Sequence, residues 1–233
     1  MPWPGEIFFG DAHAVYKGRS DENDLHAHAA YQLVLSPKTA SVVDEMGNEY
    51  QGRTLLIHPL VHHALLAKQE VCLVYMDPHA PYAMDLSRSM DGEGIAELNA
   101  NLLPFAQMAE PEDIVLALQA YQCAQKLDHR LSEALQILTE QPGKYSLAEI
   151  AHSCGLSESR MRAVVREQLG VPLATWLVWR KLERSVRALV DGMALVEAAN
   201  AGGFADQAHF TREMRRMFGI TPGSAGTLET KPR

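Results

Sequence analysis

Near the start of the chain, apolar positions come in short runs rich in β-branched residues, and turn-forming residues separate these runs. The runs cover residues 31–35, 40–43, 53–57 and 71–76, and the breaks fall at 36–37, 46–48 and 51–52. Short strands at this spacing are typical of a small antiparallel β-sandwich or barrel. The pattern therefore predicts a β domain over residues 1–86.

Beyond Asp77-Pro78 the apolar positions change to a helical period. Pro111, followed by two acidic residues, is predicted to start one helix, and a second helix is predicted over 128–140, ending at Gln-Pro-Gly in 141–143. Residues 87–127 are therefore predicted to form a helical connector. Two interpretations of this connector stay open, namely outer helices of the first domain or a dedicated dimerisation element.

A short helix, a glycine turn and a second amphipathic helix are predicted from Ser146 onward. Ser146 and Glu149 have the spacing of a capping box, Gly155 suits the turn, and Ser157 suits the cap of the second helix. The outward positions of that second helix are Ser159, Arg160, Arg162, Ala163 and Arg166. A helix that presents arginines outward fits the DNA major groove, which is about 12 Å wide.

The same arrangement occurs a second time, with a short helix and glycine turn in 194–203 and a longer helix over 206–218. Its outward positions are Gln207, Ala208, Thr211, Arg212 and Arg215. Repetition of such a unit favours DNA binding over a chance helix pair. A helix over 172–190 would join the units at about 28 Å in length, close to the ~34 Å between successive major-groove faces. Trp176 and Trp179 in this helix are predicted to be packing residues.

Charge and cysteine content narrow the class of protein. The net charge of -8 divides into -10 over residues 1–127 and +2 over 128–233, so the two halves are expected to have different partners. The three cysteines, Cys72, Cys123 and Cys154, form no CxxC, which excludes a thiolate zinc site and a methyl-accepting DNA-repair regulator. No signal peptide or membrane span is predicted, so a cytoplasmic location is expected.

Residues 203–222, GFADQAHFTREMRRMFGITP, closely resemble the signature of AraC/XylS-type transcription regulators. This resemblance implies a seven-helix domain in 128–233 with two helix-turn-helix units joined by a long helix and inserted into adjacent major grooves. It implies base-contacting roles for Ser159, Arg162, Ala163, Gln207, Ala208 and Arg212, chiefly Arg162, Gln207 and Arg212. Phosphate contacts, which position without specifying, are expected from Arg160, Arg166, Thr211, Arg215 and Arg216.

Seven of the ten histidines lie at or before His79. His26 and His28 point the same way along an extended segment, and the layout resembles that of cupin sensory domains joined to such DNA-binding domains. The resemblance places His26, His28 and His63 at metal-ligand positions, with Gln32 where many cupins have glutamate. Three interpretations stay open: an effector pocket of these four residues, a divalent zinc or iron on the three histidines, or no ligand function.

These observations predict an α+β chain, a cupin-like β domain followed by an all-α DNA-binding domain. The expected function is a sequence-specific transcription regulator that responds to a small-molecule effector and is not an enzyme. Double-stranded DNA, the effector, a second copy of the chain and RNA polymerase are the expected partners, and no membrane is expected. Signal transfer is assigned to residues 111–138. The alternative is a metal-dependent cupin enzyme that carries a DNA-binding domain.

Overall fold

The computed structural model describes residues 3–21, 23–86, 94–98, 110–120, 127–140 and 145–225. An antiparallel sheet domain comes first and a helical domain follows, which confirms the predicted fold class. The strands are β1 (Gly5–Gly10), β2 (His13–Arg19), β3 (Tyr31–Asp44), β4 (Glu49–Ile57), β5 (His63–Leu65), β6 (Glu70–Met76) and β7 (Ile95–Glu97). The helices are α1 (Pro81–Leu86), α2 (Pro111–Ala120), α3 (His129–Glu140), α4 (Leu147–Ser153), α5 (Glu158–Leu169), α6 (Leu173–Val190), α7 (Leu195–Gly202), α8 (Gln207–Phe218) and α9 (Pro222–Ala225).

The sheet has the strand order β1-β2-β6-β3-β4-β7, with β5 paired to β3, and all pairings are antiparallel. Leu33 and Val34 are neighbours on β3 and are both fully buried, because each face of the sheet is covered. Ile114 and Leu118 of α2 belong to one of these two cores. Helix α2 packs on β1 and β2, as an outer helix of the sheet domain would. The remainder of the predicted connector, apart from residues 94–98, and the predicted helix end at 141–143 lie outside the described residues.

The predicted breaks at residues 36–37 and 51–52 are wrong, because β3 continues through the first and β4 through the second. The register of the β3–β4 pair shifts between Leu35 and Ala40, which marks an irregularity in the ladder. A proline has no N–H to donate and is tolerated where a strand bulges, and Pro37 lies exposed at this point. The residues that form strands β1, β2, β5 and β7 were not predicted as strands.

Seven helices, α3 to α9, make up the described part of the helical domain, in agreement with the expected number. Both halves of the predicted capping box form at the start of α4, where the Ser146 hydroxyl accepts from the Glu149 N–H and the Glu149 carboxylate accepts from the Ser146 N–H. Gly155 has φ of +68°, in the left-handed region that favours glycine. Asp206 caps α8 by accepting a hydrogen bond from the His209 N–H at 2.6 Å. These local signals explain why the sequence predicted the helical half well.

The two domains meet along α6. The Asp77 carboxylate, at the end of β6 and 1% exposed, accepts hydrogen bonds from Trp176 Nε1 at 2.9 Å and from Arg180 at 3.4 Å. Trp176 was predicted as a packing residue, and it is fully buried. Burial alone would raise the pKa of the Asp77 carboxyl, but His79 and Arg180 outweigh it and hold this pKa below its usual range. The sheet domain therefore buries a carboxylate whose partners lie largely on the helical domain.

Further contacts extend this seam on either side of Asp77. Arg187 of α6 donates to the Gly10 carbonyl oxygen at 3.3 Å, and its guanidinium lies 4.5 Å from the centre of the Phe9 ring. Asp24 donates its backbone N–H to the Gly219 carbonyl oxygen at 2.9 Å. The seam thus includes the helix that joins the two helix-turn-helix units and the end of the second unit.

We expect Asp77→Asn to lower the free energy of unfolding by about 3 kcal/mol, because it removes the buried charge that Arg180 and His79 face and leaves Arg180 paired with Glu183 alone. Urea unfolding followed by far-UV circular dichroism measures this change. Asp191→Asn is the matched control, since Asp191 is an exposed carboxylate at the end of α6. Equal effects of the two substitutions would contradict the role given to Asp77.

The seam is also expected to weaken as the pH rises, because of His79. Burial alone would lower the pKa of His79, but Asp77 raises it above its ordinary value of 6.5. Stabilisation from protonated His79 is then complete below pH 6.5 and is lost as the pH rises through the folded-state pKa. Asp77 stays ionised across this window because its own pKa is lowered. The difference in thermal midpoint between the wild type and His79→Gln should shrink as the pH rises above 6.5, and a constant difference would contradict the assignment.

Candidate DNA-reading helices, apolar cavity and histidine cluster

The second helices of the two units, α5 and α8, present the predicted DNA-contacting residues on their outer faces. Exposed positions on α5 are Ser159, Arg160, Arg162, Ala163 and Arg166, and those on α8 are Gln207, Ala208, Arg212, Arg215 and Arg216, whereas Thr211 is half-buried. The opposite faces enter the helical core through Met161 and Val165 of α5 and through Phe210 and Met214 of α8. The helical period therefore separates the packing face from the face that can meet DNA.

Several of these arginines hold surface ion pairs. Arg162 pairs with Glu158 at 3.3 Å one turn away, and Arg216 pairs with Glu213 at 2.7 Å. Arg215 pairs at 3.4 Å with Asp24 of the sheet domain, and both side chains are about two-thirds exposed. Exposed pairs of this kind contribute about 0–1 kcal/mol. A DNA phosphate can therefore replace the carboxylate partner at little cost.

An apolar cavity lies along the seam between the two domains. The sheet domain lines it with side chains that include Phe9, Tyr16 and Tyr75, and the helical domain with side chains that include Trp179, Met214 and Phe218. The empty space between these walls, counted together with the part that is open to solvent, is about 720 Å³. Its walls thus belong to both domains, and they include the candidate DNA-reading helix α8.

One charged side chain, Glu183, is among the residues that line the cavity. Its carboxylate is already held by Arg180 at 2.6 Å and by Arg187 at 3.3 Å. Ring and aliphatic carbon atoms make up most of the remaining wall, so burial of apolar surface would dominate the binding of a ligand here. The sequence analysis missed this cavity because its walls come from segments far apart in the chain, and no local pattern marks them.

The structure brings the predicted cluster of His26, His28, Gln32 and His63 together, and each of these side chains is at most 2% exposed. The backbones of His26 and His63 exchange hydrogen bonds of 3.0 and 2.9 Å, which holds the rings next to each other. Burial is the larger cause, and the neighbouring His28 the second, of a pKa of His26 that is lowered to about 3. Burial also lowers the pKa of His28 and that of His63. The three imidazoles are therefore neutral near pH 7.

The histidine cluster and the cavity are separate but adjacent. None of the four cluster residues is among the described residues that line the cavity. The His28 ring lies against three rings that do line it, with centres 5.4 Å from Tyr75, 5.6 Å from Trp179 and 6.2 Å from Phe218. A layer of aromatic side chains thus separates the two sites.

Comparison with known sequences identifies the helical half. A family model described as a helix-turn-helix domain matches residues 153–225. The arabinose operon regulatory protein of Escherichia coli is 27% identical over 155 residues, which cover 63% of this chain and 51% of that protein. The virulence regulon transcriptional activator VirF of Yersinia enterocolitica is 28% identical over 102 residues, 42% of this chain and 38% of that protein. The helical half of the chain is therefore similar to the DNA-binding regulators of the AraC type.

Comparison with solved structures extends the likeness to the whole fold of the chain. Apo ToxT K231A from Vibrio cholerae superposes with a TM-score of 0.59 at 13% identity, covering 98% of this chain and 99% of that one. A wild-type ToxT structure described as bound to an unsaturated fatty acid gives a TM-score of 0.56 at 12% identity, covering 98% of each chain. The chain spans about half or less of the length of the two curated relatives. Among the described residues, no helix is both long and apolar enough to cross a membrane.

Replacing the exposed Arg212 of α8 with alanine should cost about 1–3 kcal/mol of discrimination at one base pair, because arginine can bond two acceptors of one guanine. Arg166→Ala of α5 is the comparison, since loss of a phosphate contact should weaken binding to all sequences alike and reduce the salt dependence. Binding-site selection followed by fluorescence anisotropy on single-base variants measures both. A uniform loss for Arg212→Ala would contradict its base-reading role.

Proposed function

We propose that this chain is a sequence-specific DNA-binding transcription regulator of the AraC type, whose DNA affinity responds to an apolar small molecule bound at the seam of its two domains. The observation that carries the proposal is the shared cavity, whose walls come from the sheet, from α6 and from the DNA-reading helix α8. The curated relatives are matched over only about half of their length or less. The activity of the whole chain is therefore part of this proposal.

The DNA-binding part of the proposal rests on two exposed helix faces joined by one helix. Helix α6 has 18 residues, which at about 1.5 Å per residue spans about 27 Å. This length approaches the ~34 Å between successive major-groove faces on one side of the duplex. Arg162 on α5 and Arg212 on α8 then read bases in adjacent grooves.

The response to a ligand follows from where the cavity lies. A ligand shifts an equilibrium only if it makes different contacts in the two states. A molecule in this cavity touches Phe9 and Tyr16 on one side and Trp179 and Phe218 on the other, so it binds best to one arrangement of the domains. Helix α6, which contacts both the sheet domain and α8, is a more direct route for the signal than the predicted segment 111–138.

The cavity wall favours an aromatic or aliphatic ligand without a free carboxylate. Arg180 and Arg187 already bind Glu183, so a ligand carboxylate would have to compete with Glu183 for them. The ToxT structure with an unsaturated fatty acid makes such an acid the natural comparison compound. Neutral apolar ligands are expected to bind more tightly than their carboxylate analogues.

The remaining expectations stay predictions. A homodimer, a contact with RNA polymerase and a cytoplasmic location fit a regulator of this kind. We propose no catalytic role, and no comparison supports the alternative of a metal-dependent cupin enzyme.

Filling the cavity should abolish the response to ligand while DNA binding persists. Ala14 on β2 lines the cavity, so Ala14→Leu adds atoms to the space that the ligand would occupy. Operator affinity is measured by fluorescence anisotropy with a neutral long-chain alcohol and with the matching unsaturated fatty acid. The wild type should change affinity by about tenfold or more, corresponding to about 1.4 kcal/mol of coupling.

Thr39→Leu is the matched control, because Thr39 is exposed on β3 and is not among the residues that line the cavity. It should respond as the wild type does. An unchanged response in Ala14→Leu, or no response to any apolar ligand in the wild type, would contradict the assignment of the cavity. If the wild type bound no DNA sequence specifically, the proposed function itself would be contradicted.

A further inference from the structure

Three buried imidazoles and one amide oxygen meet beneath the second helix-turn-helix unit. One nitrogen from each of His26, His28 and His63 lies within 4.8 Å of the other two. The Gln32 side-chain oxygen lies 2.8 Å from His28 Nε2 and 3.1 Å from His63 Nε2. Because these residues are buried, their polar atoms need partners inside the protein.

The backbone fixes where the imidazole hydrogens are. In His26, His28 and His63 alike, Nδ1 lies 2.9 Å from the carbonyl oxygen of a residue two positions away. A carbonyl oxygen only accepts, so each Nδ1 is assigned the hydrogen, and each Nε2 of a neutral ring keeps a lone pair. At His26 the Asn23 amide nitrogen also lies 3.3 Å from Nδ1, but the Asp24 carbonyl oxygen is closer, at 2.9 Å, and this decides the assignment. Metal-bound histidines are commonly held in this way, with the second ring nitrogen donating to a backbone carbonyl.

The lone pairs then face one another without a hydrogen between them. Gln32 Oε1 is an acceptor, as are the two Nε2 atoms next to it, while the Gln32 Nε2 is buried and has no hydrogen-bond partner. If the Gln32 amide were rotated by 180°, its nitrogen would donate to both rings. Its oxygen would then occupy the position in which the Gln32 nitrogen now has no hydrogen-bond partner. A cation held by the lone pairs satisfies all the converging acceptors at once.

We infer that His26, His28, His63 and Gln32 form a closed, four-ligand site for a zinc ion. Imidazole nitrogen suits zinc, and three nitrogens with one oxygen complete its tetrahedral set. Around zinc such ligand atoms lie about 3.4 Å apart, given bonds of about 2.1 Å. The three nitrogens lie within 4.8 Å of one another, so the rings move closer together when the ion binds. The fourth position is filled by the protein, which makes this a structural site and not a hydrolytic or oxygen-activating one.

The site lies directly under the end of α8. Gly219, with φ of +68°, lies so close to Asp24 that an added Cβ would be 2.2 Å from the Asp24 carbonyl oxygen. That same carbonyl oxygen is 2.9 Å from His26 Nδ1. The Phe218 ring rests on His28. Zinc bound below would therefore stabilise the surface on which the second helix-turn-helix unit sits.

Metal titration of the full chain tests the site. Protein stripped with a chelator is titrated with Zn²⁺ in competition with a chromophoric chelator, and separately with Co²⁺. We expect one Zn²⁺ per chain, a rise in thermal midpoint on binding, and the intense visible bands of tetrahedral Co²⁺. Failure to bind Zn²⁺ stoichiometrically, or the weak bands of octahedral Co²⁺, would overturn the inference.

Variants separate this cluster from the neighbouring histidine. His63→Gln should weaken Zn²⁺ binding by about 100-fold or more, since one of four ligands is lost. His62→Gln is the matched control, because His62 is the adjacent histidine, exposed and paired with Glu45 at 3.4 Å. Gln32→Glu supplies a charged oxygen at the same position and should bind Zn²⁺ about tenfold more tightly. Equal binding by His62→Gln and His63→Gln, or weaker binding by Gln32→Glu, would overturn the ligand set.

Hydrogen exchange tests the link to the second unit. The Asp24 amide, which donates to the Gly219 carbonyl oxygen, should exchange at least about tenfold faster after zinc is removed. The Val34 amide, on β3 between β4 and β6, serves as an internal reference. If removal of zinc leaves the exchange rate of the Asp24 amide unchanged, as it should leave that of the reference amide, the ion does not stabilise this contact.

Discussion

The buried carboxylate of Asp77 is the constraint on which the arrangement of this molecule depends. A charge that is 1% exposed is tolerated only when ionic and hydrogen-bonding partners surround it. Trp176 and Arg180 supply these partners from α6, the helix that also joins the two helix-turn-helix units. The sheet domain can therefore bury Asp77 only while α6 lies against it, and this places the cavity, the histidine cluster and α8 along one seam.

The helical half could be predicted from the sequence because its signals are local. The capping box of Ser146 and Glu149 and the glycine at Gly155 each act within a few residues. The sheet half was harder, since the proline in β3 indicated a break where the strand bulges and continues. The cavity could not be predicted, because Phe9 and Phe218 become neighbours only through the packing of two domains.

The histidine cluster could be predicted from the sequence only in part. The spacing of His26 and His28 predicted that their rings would lie together, and the structure adds His63 and Gln32 to them as expected. The sequence contained no sign of the backbone carbonyls that fix the ring hydrogens, or of the aromatic layer that separates the cluster from the cavity. Similarly, Trp176 was predicted to be buried, but its hydrogen bond to Asp77 was not.

The central claim, that the two domains hold one arrangement which an apolar ligand biases, is tested most directly by a distance between them. Spin labels at Met46→Cys and Val196→Cys, two exposed positions, in a chain with Cys72, Cys123 and Cys154 replaced, report this distance by pulsed electron paramagnetic resonance. We predict one narrow distribution in the free protein and a shifted or broadened one when an apolar ligand is bound. A broad distribution that no ligand changes would contradict the account.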